Sequence, residues 1–280
     1  MNLPKISIIT PSYNQGQYLE QTILSVIGQM YPNLEYIIMD GGSTDNSVEI
    51  IKKYEKHITY WVSKKDKGQA DAINRGFERA TGDILAWLNS DDYYLPGTLL
   101  KIASLLQGRI TDPVLVHGGC IHTHEGKLDV FARNDTNVRE KLTYSDPFVQ
   151  PTTFWTRGLW EKTGPLNKSM HYVFDWDWYL RAKQYAKFIR SEDYFCIYRK
   201  HDEHKSGTGG VIRTNEINGL IKEYCDPEWY SIYLSINNRD KIISKIHWLK
   251  ILKVPFLRFV LFPHLYSKFS KHKLDLFLNV

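Results

Sequence analysis

Short apolar segments alternate with amphipathic segments along residues 5–88 of the chain. The apolar segments have the length and β-branched content of buried strands, and they cover residues 5–10, 34–39, 59–62 and 83–88. Between them, apolar side chains recur every three or four residues, which predicts helices over residues 17–30, 45–56 and 68–80. Strands and helices that alternate at this pace predict an α/β fold with a mostly parallel central sheet and helices on both faces.

The pattern becomes less regular after residue 112 and richer in histidine and aromatic residues. It predicts strands over residues 114–122, 129–133, 148–156 and 189–198, with a turn at Gly126 between the first two. It also predicts a helix over residues 174–186 and a polar, glycine-rich loop over residues 201–210. We therefore expect one α/β domain with halves at residues 1–110 and 111–238, followed by a helical C-terminal extension over residues 239–280.

The charge of the chain is unevenly distributed. The net charge is +5, but residues 239–280 hold nine basic and two acidic residues, and the first 238 residues hold 27 basic and 29 acidic ones. A slightly acidic body does not indicate a nucleic-acid partner. The tail interleaves basic residues with Ile, Leu, Phe and Trp, which suits an anionic membrane surface; the alternative is a helical hairpin packed on the body or on a second subunit, as in a homodimer.

The cysteines and the N-terminus indicate where the protein works. Cys120, Cys196 and Cys225 lie far apart, so they predict neither a disulfide framework nor a zinc ribbon, and a reducing compartment is the simpler interpretation. The first residues lack the features of a signal peptide, and the chain has no apolar run of about 18 residues that could span a membrane. We expect a cytoplasmic protein that binds peripherally to the inner face of the cell membrane.

Polar residues follow the predicted strands at the point where each strand ends. They comprise residues 12–14 after the first strand, Asp40 after the second, and Asp91 with Asp92 after the fourth. Ligands of parallel α/β sheets bind outside the carboxyl ends of the strands, so these clusters predict a site; helix capping is the alternative for each cluster alone. Two adjacent carboxylates repel each other unless a cation or hydrogen bonds hold them, which makes Asp91-Asp92 a candidate Mg²⁺ or Mn²⁺ site for a bound diphosphate.

The motifs of several other enzyme classes are absent. No Gly-x-Gly-x-x-Gly follows the first strand, and the chain contains neither a phosphate loop nor a Gly-x-Ser-x-Gly nucleophile elbow. By contrast, the runs ITPSYNQGQYLEQTILSVIGQMYPNLEYIIMDGGSTDNS and DKGQADAINRGFERATGDILAWLNSDD resemble the family 2 glycosyltransferases. The resemblance covers residues 4–205 and implies an inverting enzyme with the GT-A fold, of the type that builds bacterial surface polysaccharides.

This resemblance implies a role for each half of the domain. Residues 1–110 would bind the nucleotide-sugar donor and residues 111–238 the acceptor. The implied nucleotide-binding residues are Thr10, Pro11, Ser12, Tyr13, Asp40, Asp66, Lys67, Gly68, Asp71 and Asp91. The metal, Mn²⁺ or Mg²⁺, would be bound by Asp92, with His201, or else His204, completing its ligands.

The segment 174–181 resembles the part of the family that carries the catalytic base. Asp175 is the implied base, and Asp177 is the rival, for which a structural hydrogen-bonding role is expected instead. At helical spacing these two carboxylates point about 200° apart, so they cannot share one role. Trp155, Trp176 and Trp178 could offer ring faces to sugars, with core packing as the alternative, as it is for Trp160. The loop over residues 205–210 could close over the donor or be an ordinary connection.

The combined prediction is a metal-dependent inverting glycosyltransferase. A divalent ion would stabilise the leaving diphosphate, while a carboxylate would deprotonate the acceptor hydroxyl as it attacks the anomeric carbon. The expected donor is a UDP-sugar, and the expected acceptor is a lipid-linked or cell-surface glycan. The alternatives are a nucleotidyltransferase on a similar sheet and a noncatalytic carbohydrate-binding protein that uses the aromatic residues.

Overall fold

A computed structural model describes residues 3–124, 127–131, 137–201, 205–227, 230, 231, 233 and 234. These residues separate into two compact units. The larger unit is built from the chain up to residue 142 and from residue 147 to residue 216, and the smaller one from residues 143–146 and the described residues after 216. The basic tail at residues 239–280 lies outside the described residues, so its predicted helices and its membrane role stay predictions.

The larger unit contains a nine-stranded sheet within its described residues. Its strands are β1 (Ile6–Ser12), β2 (Leu34–Asp40), β3 (Tyr60–Ser63), β4 (Ile84–Trp87), β5 (Tyr93–Tyr94), β6 (Val114–His124), β7 (Lys127–Phe131), β8 (Phe154–Thr156) and β9 (Lys187–Lys200). The order is β3-β2-β1-β4-β8-β6-β9-β5, and β7 pairs with β6. Strands β1 to β4 are mutually parallel, as the sequence predicts.

The second half of the sheet mixes both strand directions. Strand β8 runs antiparallel to β4 and to β6, which lets one continuous sheet join the two predicted halves of the domain. Strand β9 pairs in parallel with β6, with a register shift between His117 and Cys120, and antiparallel with the short strand β5. This pairing returns the chain to the edge of the sheet where β4 ends, and it positions the residues that follow β9 near those that follow β4.

Helices cover both faces of the parallel strands. The helices of the described residues are α1 (Gly16–Ile27), α2 (Ser47–Lys53), α3 (Gln69–Arg79), α4 (Thr98–Leu106), α5 (Val138–Lys141), α6 (Arg157–Thr163), α7 (Phe174–Ala182), α8 (Lys205–Thr208) and α9 (Gly210–Tyr224), and α1 and α3 lie on opposite faces of β1. Every residue of β1 is buried. Its Ile6 and Ile8 share a core cluster with Leu19 and Ile23 of α1, so that face is apolar and closed to water.

The opposite face of β1 packs against α3. A side chain on Gly76 of α3 would place its Cβ 2.4 Å from Ile9 Cγ2, so glycine is what allows the helix to approach the sheet this closely.

None of the helices in the described part of the chain combines the length and the apolar character that a membrane-spanning helix needs. In the smaller unit, the thiol of Cys225 donates a hydrogen bond to the carbonyl of Thr143 at 2.9 Å.

Several predicted elements are wrong in extent or type. The strand predicted over residues 148–156 is confined to β8, because Pro151 lacks the N–H that a strand ladder needs and residues Gln150–Thr152 form a 3₁₀ turn instead. The predicted glycine-rich loop is partly helical, since it contains α8 and the first residue of α9. Helix α4 is absent from the predicted elements, although its buried residues Leu99, Ile102 and Leu106 recur at helical spacing.

Candidate active site

A cavity of about 640 Å³ opens at the carboxyl ends of the four parallel strands. Its wall takes residues from the end of β1, from the turns after β2 and β3, and from the turn after β4. This edge is where the sequence predicts a ligand site, because the polar residues that follow parallel strands converge there. The structure brings these predicted nucleotide-binding residues into the wall: Pro11, Ser12, Tyr13, Asp66, Gly68 and Asp91.

Two buried polar atoms in this wall have no hydrogen-bond partner within the part of the chain that the structure describes. The hydroxyl of Ser12 and the side-chain oxygen of Gln15 are buried and lack a hydrogen-bond partner among the described residues. Buried polar groups in proteins are almost always hydrogen-bonded, so such atoms at a cavity surface indicate where a ligand binds. Gln15 is not among the predicted site residues, because a single glutamine after a strand carries no pattern of its own.

Glycines allow the walls of the cavity to approach each other. A Cβ at Gly41 would lie 2.8 Å from Asp66 Oδ2, and Gly42 and Gly68 have φ angles of +87° and +110°, which favour glycine. The carboxylate of Asp66 accepts a hydrogen bond from the Gly68 amide at 2.8 Å and so fixes the turn that leads into α3. The turn after β3 therefore follows from its Asp-x-Gly sequence.

Four predicted nucleotide-binding residues support the wall and are not part of it: Thr10, Asp40, Lys67 and Asp71. Asp40 accepts hydrogen bonds from the Gly42 and Ser43 amides and from the Ser43 and Ser63 hydroxyls, at 2.5–3.1 Å. These bonds order the turn after β2, which explains why Asp40 is buried at the end of that strand.

Two of the other three residues outside the wall, Thr10 and Asp71, also contact protein groups. Thr10 lies inside the sheet, with its Oγ1 3.2 Å from the Tyr36 hydroxyl. Asp71 accepts the Lys67 amide at 3.2 Å and pairs with Lys168 at 3.4 Å, so it orders the first turn of α3. The side chain of Lys67 is exposed to solvent.

Asp91 and Asp92 have different environments although they are adjacent. Asp91 lies in the cavity wall, and its Oδ2 is 3.2 Å from the Nε2 of His201. Asp92 is 1% exposed, and its Oδ1 accepts the amide of Arg199 at 3.2 Å. Burial, together with the neighbouring charge of Asp91, raises the pKa of Asp92 well above its ordinary value. Asp91 is therefore the carboxylate that contacts His201, whereas the Oδ2 of Asp92, the predicted metal ligand, is buried and has no hydrogen-bond partner among the described residues.

Arg199 holds this turn in place. Its guanidinium donates to the main-chain carbonyl of Asp91 at 2.8 Å and to the side chain of Gln21, and it lies over the rings of Tyr18 and Tyr93 at 5.0 Å and 4.7 Å. The ring of His201 also packs on Tyr18, with 4.8 Å between centroids. Both candidate metal ligands are thus positioned by the residues around them.

The residues at Asp91 and His201 fit a divalent cation. Carboxylate and imidazole are suitable ligands for Mn²⁺, and Mg²⁺ is commonly bound by one or two carboxylates together with substrate phosphates. Neighbouring ligands of an octahedral ion at about 2.1 Å lie about 3 Å apart, close to the 3.2 Å between Asp91 and His201. The described residues contain no cluster of three or more His, Cys, Asp or Glu that could hold a metal, and His204 lies outside them.

Asp175 lies in the first turn of α7, half-buried. Its Oδ1 accepts the amide of Trp176 at 2.8 Å. Burial raises the pKa of Asp175, against the opposing effects of that hydrogen bond and of the positive charges of Lys205 and Arg213. A raised pKa suits a carboxylate that accepts a proton during catalysis.

Glu216 of α9 fixes the entry to α7. Its carboxylate accepts the main-chain amides of His171, Tyr172 and Val173 at 2.6, 2.8 and 3.2 Å. These amides precede the first turn of the helix, where N–H groups need partners from outside the helix. Glu216 thereby positions His171, which lines the cavity, relative to Asp175.

Asp177 has the structural role that the sequence analysis expects. Its Oδ2 accepts both Nε and Nη2 of Arg181 at 3.0 and 2.9 Å, and Arg181 also donates to the carbonyls of Thr163 and Pro165. This arrangement ties α7 to the end of α6. Asp175 has no such ion pair with Arg181 and stays the predicted base of this segment, although it is not among the residues that line the cavity.

The tryptophans predicted to contact sugars belong to the core. Trp155 and Trp178 are fully buried with ring centroids 4.6 Å apart, and Trp176 is 5% exposed. The indole N–H groups of Trp176 and Trp178 donate to the carbonyls of Leu142 and Gly164. The prediction of free ring faces is therefore wrong for all three, because their side chains are buried in the core.

Other residues of the cavity wall are missing from the predicted site. Lys205, Gln69, Asn89 and His171 all line it. Asn89 stands beside the Asp91-Asp92 motif, which is a usable signal in the sequence. Gln69 lies between the predicted residues Gly68 and Asp71, and Lys205 begins the segment 205–210 that could close over the donor, whereas only the fold brings His171 to the cavity.

Comparison with known sequences agrees with this architecture. Residues 7–156 match the family described as Glycosyl transferase family 2. The chain is similar to TuaG of Bacillus subtilis, described as a candidate teichuronic acid biosynthesis glycosyltransferase, with 40% identity over 149 residues that cover 51% of this chain and 56% of TuaG. The chain spans about half the length of several curated relatives that it matches.

Comparison with solved structures agrees as well. The fold is similar to S. aureus TarS 1–349 in complex with UDP-GlcNAc, with a TM-score of 0.63 and 17% identity over 98% of this chain and 79% of that one. It is also similar to the mannosyltransferase PcManGT of Pyrobaculum calidifontis in complex with GDP-Man and Mn²⁺, with a TM-score of 0.61 and 19% identity over 80% of this chain and 64% of that one. These likenesses confirm the predicted GT-A fold.

Proposed function

The chain belongs to glycosyl transferase family 2, and from that premise we propose that it is a metal-dependent, inverting glycosyltransferase with a nucleotide-sugar donor. The observation that carries the proposal is the cavity at the carboxyl ends of the parallel strands. Its wall combines a buried Ser12 hydroxyl without a partner among the described residues with Asp91, which pairs with His201. Such a wall suits a ligand that carries both hydroxyl groups and a diphosphate.

Asp91 and His201 are the residues that would hold the divalent ion. A bound Mn²⁺ or Mg²⁺ supplies Lewis-acid stabilisation to diphosphate oxygens as negative charge develops on them. Asp175 accepts the proton of the acceptor hydroxyl while that oxygen attacks the anomeric carbon from the side opposite the leaving group. Attack from the opposite side inverts the configuration at that carbon.

The donor is proposed to be a UDP-sugar. Tyr13, Gly41 and Asp66 lie in the wall, where an aromatic ring, main-chain groups and a carboxylate can contact a base and a ribose. The structurally similar proteins are in complex with UDP-GlcNAc in one case and with GDP-Man in the other, so GDP-sugars are the second class to test.

A thermal-shift panel tests this proposal. The purified chain is heated with UDP, GDP, dTDP and their sugar conjugates, each with and without Mn²⁺. We expect the melting temperature to rise with one nucleotide class and to rise further with Mn²⁺, because a ligand that binds only the folded state stabilises it. No response to any nucleotide would refute the proposed function, and a response to GDP alone would refute the UDP assignment.

We also propose that the acceptor is a lipid-linked or cell-surface glycan. The similarity of this chain to TuaG, described as a candidate teichuronic acid biosynthesis glycosyltransferase, supports a glycan polymer as the acceptor. The positive charge of residues 239–280 supports a protein that works at the cytoplasmic face of the membrane. Deletion of residues 239–280 should release the protein from anionic liposomes and leave hydrolysis of the donor intact. Unchanged liposome binding after the deletion would contradict the membrane role of the tail.

A noncatalytic carbohydrate-binding protein is the contrasting function. Its ring faces would have to come from the tryptophans, but Trp155, Trp176 and Trp178 are buried. Glycan binding that does not depend on nucleotide and is unaffected by Asp175→Asn would favour this alternative.

A further inference from the structure

Lys205 is a cation in the cavity wall with an unusual set of neighbours. It begins helix α8, and its Nζ donates a hydrogen bond to Gln69 Oε1 at 2.8 Å. The amide nitrogen of Gln69 in turn donates to Asn89 Oδ1 at 2.7 Å. All three side chains line the cavity, so a continuous row of hydrogen bonds connects Lys205 to the turn that carries Asp91.

The row is anchored in the centre of the sheet. Asn89 donates to Gln150 Oε1 at 3.4 Å, and Gln150 donates to the carbonyl of Trp87 at 2.9 Å, at the end of β4. This anchor holds the ammonium of Lys205 in one position although Lys205 lies on a helix of only four residues. Fixed charges stabilise a transition state better than mobile ones, because no reorganisation is needed during the reaction.

Two aromatic rings lie beside the ammonium of Lys205. Its Nζ lies 5.1 Å from the ring centroid of Phe174 and 5.7 Å from that of Tyr172. The titratable groups that face it are Asp175 from α7, Glu216 from α9 and the imidazole of His171. It forms an ion pair with no carboxylate in the described part of the chain. Since an ammonium has three N–H donors, hydrogen bonding to Gln69 leaves donors for an anion in the cavity.

We propose that Lys205 is a further catalytic residue, whose ammonium binds the diphosphate of the donor and stabilises the charge that develops there as the sugar leaves. This inference rests on the proposed function. In the step, the acceptor oxygen forms a bond to the anomeric carbon, and the bond from that carbon to the diphosphate oxygen breaks. The electron pair stays on the diphosphate beside Lys205, and the proton of the acceptor goes to Asp175.

The same position couples Lys205 to the proposed base. Burial lowers the pKa of Lys205 to about 8, against the opposing charges of Asp175 and Glu216. Its positive charge in turn lowers the pKa of Asp175 and favours the ionised form that accepts a proton. The protonated lysine is the active form, so activity should fall as the pH rises through about 8.

Three variants test the role of Lys205. Lys205→Met removes the charge and keeps most of the length, Lys205→Arg keeps a charge that does not titrate, and Lys187→Met is the matched control at an exposed lysine that pairs with Asp112. Affinities for UDP and UMP, and for GDP and GMP, are measured by calorimetry with the full chain and Mn²⁺. Donor turnover is then followed from pH 6 to pH 10.

We expect Lys205→Met to lower kcat/KM for the donor about 10²- to 10³-fold and to weaken the nucleoside diphosphate while the monophosphate binds as in the wild type. Lys205→Arg should recover part of this loss and move the alkaline limb to higher pH. Equal diphosphate affinity and turnover in Lys205→Met and wild type would overturn the inference. It would also be overturned if Lys205→Met lost affinity for the monophosphate while its melting temperature stayed equal to that of Lys187→Met. If the wild type binds no nucleotide, the proposed function itself fails, which is a distinguishable result.

Discussion

The imidazole of His201 lies 3.2 Å from the carboxylate of Asp91, although 110 positions of the chain separate them. His201 follows directly after β9, and β9 pairs with the short strand β5 that follows Asp92. The strand pairing sets this distance, and Arg199 reinforces it through the Asp91 carbonyl. The pair is therefore a product of the sheet topology.

Substitutions of Asp91, Asp92 and His201 distinguish which of the two carboxylates binds the metal. Asp91→Asn and His201→Ala should each weaken the Mn²⁺-dependent part of nucleotide binding by at least about tenfold, measured by titration with and without Mn²⁺. Asp92→Asn should keep that response. Loss of the Mn²⁺ response in Asp92→Asn but not in Asp91→Asn would restore Asp92 as the ligand.

The stability of Asp92→Asn provides a second measurement. Burial raises the pKa of Asp92 in the folded state, so the folded protein favours the protonated carboxyl and loses stability as the pH rises above the ordinary range of a carboxylate. Asparagine removes this pH dependence. We expect Asp92→Asn to be at least as stable as the wild type at pH 8 in urea unfolding; a clear loss of stability there would contradict the direction of the shift.

Asp175→Asn should abolish most transfer without unfolding the protein. A positioned general base contributes about 10²- to 10⁴-fold, so we expect a loss of that size in kcat, with donor affinity and melting temperature close to the wild type. Because burial raises the pKa of Asp175, the acidic limb of the wild-type rate profile should lie above the ordinary carboxylate range, with activity rising as the pH increases.

Asp177→Asn is the matched control on the same helix. It weakens the two hydrogen bonds from Arg181 and leaves the cavity unchanged, so it should cost about 1–3 kcal/mol of stability and little turnover. The opposite pattern, with Asp177→Asn inactive and Asp175→Asn active, would exchange the two assignments.

Glu216→Ala should affect turnover more than donor binding. Its carboxylate accepts three main-chain amides before α7, so its loss frees the segment that positions Asp175. We expect kcat to fall about tenfold or more with little change in donor KM, because a small misplacement of a catalytic group is costly. Glu216→Gln keeps one acceptor oxygen and should recover part of kcat; a lower melting temperature with unchanged kcat would mean that Glu216 serves stability alone.

The parallel half of the fold could be predicted because its signals are local. Strands β1 to β4 and helices α1 to α3 each carry their own periodicity, and the polar residues at the strand ends converge once the strands are parallel. The predicted site residues Ser12 and Asp91 follow from that convergence, whereas Asp66 is predicted from the family resemblance alone.

The rest of the site depends on pairings that a sequence does not display. Lys205 donates a hydrogen bond to Gln69, which is 136 positions away in the chain. This contact depends on the order of strands in the second half of the sheet. Cys120 and Cys196 show the same limit, since their spacing predicts no relationship, yet they face each other across β6 and β9 with their sulfur atoms 3.3 Å apart. The prediction for the three tryptophans is wrong for another reason. Aromatic residues of the core and aromatic residues that bind sugars are the same residue types, and they differ only in exposure.

Glu35 is the centre of a buried hydrogen-bond network within residues 1–110. Its register partner on β1 is Ser7, and its carboxylate accepts hydrogen bonds from the Ser7 hydroxyl, the Lys5 ammonium, and the amide and hydroxyl of Thr81 at 2.6–2.9 Å. Burial alone would raise the pKa of Glu35, but these bonds outweigh it and lower the pKa to about 2. The group joins β1, β2 and the turn before β4 in one buried network.

The lowered pKa fixes the direction of the pH dependence. The ionised form is favoured by folding, so its contribution is complete above the ordinary glutamate pKa and is lost as the pH falls towards about 2. We expect Glu35→Gln to reduce the free energy of unfolding at pH 7 by about 2 kcal/mol, after allowance for solvent screening, and to flatten the acid limb between pH 4.5 and pH 2. Urea unfolding at several pH values measures both effects.

Glu20→Gln, at an exposed pair with Lys53, is the control and should change little. An equal loss in both variants at pH 7, with the acid limb of Glu35→Gln unchanged, would show that the buried network contributes no more than a surface pair.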